Sequence, residues 1–149
     1  MDRKNTEGLS LVVQYACDIP GLPSRPQIRR WVRAACIGPA QVTVRFVDEA
    51  EAQLLNRDYR KKNYATNVLT FPYATVPVLI GDLALCVPVV LREAEQQGKT
   101  ATAHFAHLIL HGMLHLQGYD HETSDAEAKC METREREILQ QFGYPDPYA

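Results

Sequence analysis

Thr102-Ala-His-Phe-Ala-His-Leu-Ile-Leu-His-Gly-Met-Leu-His-Leu-Gln-Gly-Tyr-Asp-His121 is the stretch that decides the fold of this 149-residue chain. From about Thr102 to Gln117 it is apolar nearly all round, through Phe105, Leu108, Ile109, Leu110, Met113, Leu114 and Leu116. A helix of that composition has no solvent face, so it is expected at the centre of the molecule. Gly118 tolerates a left-handed backbone and can end the helix. The chain can then fold back and bring His121 toward the helix end.

The same stretch carries the chemistry. Residues four apart on a helix lie roughly 40° apart around its axis, so His111 and His115 can present imidazoles to one ion. His104 and His107 share that face, and His107 with His111 is a second possible pair. The third histidine decides between them: Gly118 and His121 complete a pattern only with His111 and His115. Histidines at relative positions one, five and eleven, with glycine at eight, have the spacing of the metzincin zinc peptidases. The three are the expected metal ligands. Zinc is favoured, one ion per chain, because imidazoles at an open three-ligand site suit it. Water in the fourth position can reach a pKa of about 7, which points to a metallohydrolase. Those peptidases carry a glutamate general base after the first histidine, and here that position is Gly112. The glycine removes the peptidase base and is expected to leave room beside the metal. Asp120 is a candidate for orienting a ligand imidazole, with helix capping an equal alternative. His107 is expected to pack or support a neighbour, and His104 has no assigned role.

Working outward, Leu9 to Ala16 reads as a strand. Ser24 with Gln27 forms a capping box, with Pro26 in the first turn of a helix that turns Ile28, Trp31, Val32 and Ala35 inward. Gln41 to Val47 alternates as a half-buried strand. Asp48 with Glu51 caps a second helix through Leu54 and Leu55. Val68 to Phe71 is a short strand, Pro72 to Pro77 a loop, and Val78 to Val87 a strand with an irregularity at Gly81-Asp82. Pro88 opens a helix that Gly98 ends. Ser124 with Glu127 caps the last helix, which Gly143 and Pro145 end. The order β-α-β-α-β-β-α-α-α predicts one α+β domain over residues 1–149, a small mixed sheet of about four strands with helices against it and a zincin-like metal-binding central helix.

Composition agrees with a soluble globular domain: 46% hydrophobic and 23% charged residues. No apolar run approaches 18 residues, so no membrane span is expected. Met1-Asp2-Arg3-Lys4-Asn5 leads into no signal-peptide core, and a cytoplasmic location is the expectation. Cys17, Cys36, Cys86 and Cys130 form no C-x-x-C pair and read as reduced, mostly buried thiols. A net charge of −2 excludes a generally basic nucleic-acid binder. Two local clusters, Arg25/Arg29/Arg30/Arg33 and Arg60-Lys61-Lys62, read as solvated faces unless both flank the metal cleft.

The run from His111 to His121 resembles the signature of the YbeY family of bacterial endoribonucleases. Tyr59-Arg60, Thr66-Asn67-Val68-Leu69-Thr70-Phe71-Pro72, Gly81-Asp82-Leu83, Glu132-x-x-Glu135 with Ile138-Leu139, and Gly143-Tyr144 extend the likeness over roughly residues 40 to 145. The resemblance implies a zinc-dependent endoribonuclease specific for single-stranded RNA. It would act in ribosomal RNA maturation at the 3′ end of the small-subunit RNA and in ribosome quality control. It also implies that His111, His115 and His121 are ligands and Arg60 the functional arginine. The implied partners are ribosomal RNA and the small subunit with its associated proteins, with no membrane and no DNA. Many members have aspartate where this chain has Asn67 and isoleucine where it has Leu83. Independently, phosphodiester cleavage builds charge on non-bridging oxygens, which a guanidinium such as Arg60 can pair with, while Lys61 and Lys62 suit backbone contacts. Two other readings stand beside this one. One is a zinc hydrolase of peptides or amides, which the missing glutamate opposes. The other is a ribosome-associated binding module with a structural metal.

Overall fold

The structure, a computed structural model, describes residues 8–62, 64–119 and 124–148. Its elements run β1 (Leu9–Tyr15), α1 (Arg25–Ala35), β2 (Ala40–Val47), α2 (Glu49–Arg60), β3 (Val68–Ala74), β4 (Leu79–Cys86), α3 (Val87–Gln96), α4 (Ala101–Leu116) and α5 (Asp125–Gln141). The fold is α+β, with a mixed four-stranded sheet in the order β1-β2-β4-β3. β1, β2 and β4 are parallel, and β3 pairs antiparallel with β4.

The expected caps form: Ser24 and Gln27 close a reciprocal capping box on α1, and the side chains of Asp48 and Ser124 accept the N3 amides of α2 and α5. Thr100 adds a cap on α4 that the sequence reading did not name. Each such cap contributes about 1 kcal/mol. Ile28, Trp31, Val32 and Ala35 are the buried residues of α1, as their spacing predicts.

Alternation along the strands assigns the two sheet faces. Val42, Val44 and Phe46 on β2 lie beside Gly81, Leu83 and Leu85 on β4 and form the main core with α1 and α4. Helix α4 is buried from Ala103 to Leu116 except at His107, His111 and His115. Two glycines let it lie close on the sheet. A Cβ on Gly81 would meet the Leu116 methyls at 2.8 and 2.9 Å, and one on Gly112 would meet Leu83 Cδ2 at 2.8 Å. Leu116 of the helix thus fills the space over Gly81 of the sheet, and Leu83 of the sheet fills the space over Gly112 of the helix. Helix α2 covers part of the opposite face, where Ala52 packs against Val47 and Cys86.

Two expectations need correction. β3 does not stop at Phe71 but continues through Pro72 to Ala74, with a register shift opposite Gly81 and Ile80. β3 is an edge strand, where a proline without an N–H is tolerated. The cysteines are free as expected, but only Cys86 is buried, with Cys17 and Cys36 intermediate and Cys130 exposed.

Candidate metal centre

The polar positions of α4 form one stripe. His104, His107, His111 and His115 follow one another along it, with ring centroids of 6.1 Å between the first two and 6.3 Å between His107 and His111. Helix α5 packs against that side of α4 and contributes Glu135, which is fully buried. Its carboxylate meets His111 Nδ1 at 2.7 Å, His107 Nε2 at 2.8 Å and the Tyr148 hydroxyl at 2.5 Å. Burial works to raise the Glu135 pKa, but the hydrogen bonds from His107 and His111 prevail and hold it at about 2. An ionised carboxylate only accepts, so both ring nitrogens and the Tyr148 hydroxyl donate. The consequence for His111 is decisive: with its proton on Nδ1, Nε2 carries the lone pair that a metal takes. Tyr148 has its own pKa pushed up by burial and by the bond to Glu135.

His115 lies one turn beyond His111 on the same stripe, on the half-buried side of α4. The turn that follows is pinned. Gly118 has φ +104°, the left-handed conformation expected of it. Gln117 Nε2 donates to Ala35 O at 2.7 Å while its Oε1 accepts from Ile37 N at 3.0 Å, tying the helix end to α1. His121 and Asp120 lie outside the described residues, and among the described residues no three candidate ligands converge. What is described fits a metal: one imidazole fixed in the metal-binding tautomer by a buried carboxylate, and a second one turn away.

Gly112 does something other than its sequence position suggests. It is buried and faces Leu83 and Thr70 of the sheet, so it does not open space beside the metal.

His104 belongs to another assembly. Its Nε2 lies 2.9 Å from Glu93 of α3 and its Nδ1 3.3 Å from Lys99 Nζ. Burial lowers its pKa. Asn67 Nδ2 donates to the same Glu93 at 3.0 Å, and Asn67 Oδ1 accepts from Val68 N at 2.6 Å. An amide suits this place because it faces a carboxylate.

Arg60 is exposed at the C-terminal end of α2 and makes no ion pair among the described residues. Buried Asn56 organises the basic loop after it, donating to Tyr64 O at 2.7 Å and accepting Lys62 N at its own carbonyl at 3.2 Å. Next to Arg60, Tyr59 packs edge-on against Phe71 of β3, with centroids 5.2 Å apart. The neighbouring residue Thr70 is close to Gly112 on the opposite side of that strand. Tyr59 and the histidine helix therefore lie on opposite sides of edge strand β3. The other basic cluster is elsewhere: Arg25 and Arg29 reach the carbonyls of Val13 and Leu9 on β1, at the far edge of the sheet. Only Arg60-Lys61-Lys62 lies on the β3 side.

The family model for endoribonuclease YbeY matches residues 26–143. The chain belongs to the YbeY family. A YbeY from Aromatoleum aromaticum is 63% identical over 144 residues, covering 95% of this chain and 93% of its own. One from Nitrosomonas europaea is 54% identical over 141 residues, covering 95% and 85%. The solution structure of TM1509 from Thermotoga maritima superposes with a TM-score of 0.61 at 28% identity, covering 87% of this chain and 88% of that one. Glu135 is the residue whose role the sequence did not disclose: it stood in a matching motif, but 24 residues from His111, and only the packing of α5 on α4 joins them.

Proposed function

We propose that this protein is a zinc-dependent endoribonuclease that cuts single-stranded RNA, and that its cellular substrate is ribosomal RNA. The carrying observation is the buried Glu135 carboxylate on His111 Nδ1, which prepares His111 for a metal on a helix that presents His115 one turn later. The relatives named endoribonuclease YbeY support the substrate class. His111, His115 and His121 would hold the ion, which supplies Lewis acidity toward a phosphoryl oxygen and acidifies water.

The chain's own residues do the rest. Glu135 and the Tyr148 hydroxyl keep the His111 ring in one orientation. Arg60, which makes no ion pair among the described residues, would offset charge on the non-bridging oxygens, and Lys61 and Lys62 would grip adjoining phosphates. Gly112 provides no carboxylate beside the first ligand, which disfavours peptide hydrolysis. Maturation of the small-subunit RNA 3′ end, ribosome quality control and a cytoplasmic site of action belong to the same proposal.

The test is a parallel assay of single-stranded RNA and a casein-like protein with the wild type, His115→Ala and Arg60→Glu. The wild type should cut only RNA, and His115→Ala should cut neither. Arg60→Glu should fall by about 10²–10³ in rate while keeping its metal. Proteolysis that vanishes in His115→Ala, with RNA left intact throughout, would overturn the assignment.

A further inference from the structure

The sheet has a second face that the metal centre does not use. Beyond the cover of α2 it opens into a hollow of about 210 Å³, walled by Tyr59, Phe71 and Tyr73 and floored by Thr43, Asp82 and Gln14. That is smaller than the roughly 300–1,000 Å³ of sites for drug-sized ligands, so it takes one flat ring system rather than a folded strand. Its walls are unusual for a surface: Tyr59 is 68% and Tyr73 64% exposed. Exposed tyrosines beside a run of cations are the ingredients of a single-strand binding platform, where bases stack on rings and cations hold phosphates. Here the cations Arg60, Lys61 and Lys62 directly follow Tyr59 in the chain.

The floor adds selectivity. Arg45 is spent within the protein, bonded twice to Glu51, at 2.6 and 3.1 Å, and to Gln14 at 3.0 Å. Asp82 accepts one bond from the Tyr73 hydroxyl on Oδ2, at 3.0 Å, which leaves Oδ1 without a hydrogen bond among the described residues. A carboxylate at the base of such a hollow accepts from an exocyclic amine, which adenine, cytosine and guanine carry and uracil lacks.

We propose that this hollow is a nucleobase subsite, taking one unpaired base of the RNA stacked on Tyr59 with its exocyclic amine on Asp82, while Arg60-Lys61-Lys62 hold the adjoining phosphates. The proposal rests on the RNA reading of the metal centre and deepens it. Because Phe71 and Thr70 point to opposite sides of edge strand β3, a strand bound in the hollow needs only to pass around that edge to reach the histidine helix.

The experiment is an NMR titration of the isotope-labelled, zinc-loaded full chain with AMP, CMP, UMP and inorganic phosphate, none of which has a phosphodiester to cut. AMP and CMP should shift the signals of Tyr59, Phe71, Tyr73 and Asp82, and should bind several-fold more tightly than UMP. Tyr59→Ser should weaken AMP about tenfold, within the range for loss of a stacked base, and Asp82→Asn should erase the preference for amino-bearing bases. Shifts confined to the Arg60–Lys62 loop, equal for all three nucleotides and reproduced by phosphate, would overturn the subsite. RNA cleavage by the same protein judges the other reading separately. Cleavage without shifts in the hollow removes the subsite and keeps the nuclease; shifts in the hollow without cleavage keep a base site and remove the nuclease.

Discussion

Helix α4 carries two carboxylate–histidine assemblies that look alike in composition and differ in burial and in how the ring is held. At its N-terminal end His104 is 2% exposed and occupied on both ring nitrogens, by Glu93 and by Lys99. Nearer its C-terminal end His111 is 23% exposed on its side chain and gives Nδ1 to Glu135. The first arrangement spends the whole imidazole on the fold. The second holds a partly exposed ring by Nδ1, in the tautomer whose Nε2 lone pair suits a metal. The carboxylates differ in the same sense: the Glu93 side chain is 30% exposed, whereas that of Glu135 is 0% exposed. Under the proposed function, what holds the ring of a histidine on this helix matters as well as its position on the stripe.

The contrast makes graded predictions. The largest concerns removal of the acids in metal-free protein. Glu135→Ala leaves two partly buried ring donors and a tyrosine hydroxyl without their acceptor and should cost about 3–5 kcal/mol. Glu93→Ala disturbs a partly solvated network and should cost about 1–3 kcal/mol. Urea unfolding of the two variants decides it; equal losses would remove the distinction.

Next is acid. Glu135 is held at about 2 against its ordinary 4.5, so its contribution is complete above pH 4.5 and is lost as pH falls from there toward 2. That window is worth about 3 kcal/mol. His104 is also depressed, from 6.5, so its burial as a neutral ring begins to cost stability as pH falls below 6.5. Urea midpoints of the metal-free protein should therefore fall in two stages. Glu135→Gln should flatten the lower stage and His104→Phe the upper one. Loss of both stages in either single variant would show that the assemblies are one.

The smallest effect is at residue 67. Asn67→Asp sets a second carboxylate against Glu93 and should cost about 1 kcal/mol at pH 8. The deficit should shrink below neutral pH, because two acids raise the His104 pKa and favour its charged form. Unfolding at the two pH values checks this, and a pH-independent deficit would point to shape rather than charge.

Much of this was legible in the sequence because it depends on near neighbours. Caps at Ser24, Asp48 and Ser124 need only three residues of context. The all-round apolarity of α4 announces a central helix, and Gly118 announces its end. What was not legible depends on the sheet. Whether Pro72 ends a strand turns on β3 being an edge, which only the strand order reveals. Gly112 invited a reading about the missing peptidase base, yet its neighbours are Leu83 and Thr70 from distant segments. Asp120 stood closest in sequence as the acid to orient a ligand, whereas the acid seen on His111 comes from α5.

The most direct test of the account is zinc affinity, measured by competition with a chromophoric chelator, for the wild type, Glu135→Gln and Glu93→Gln side by side. Glu135→Gln should bind zinc about 10–100-fold more weakly, and Glu93→Gln should match the wild type. Unchanged affinity in Glu135→Gln, or an equal loss in both variants, would contradict the claim that Glu135 makes His111 a metal ligand.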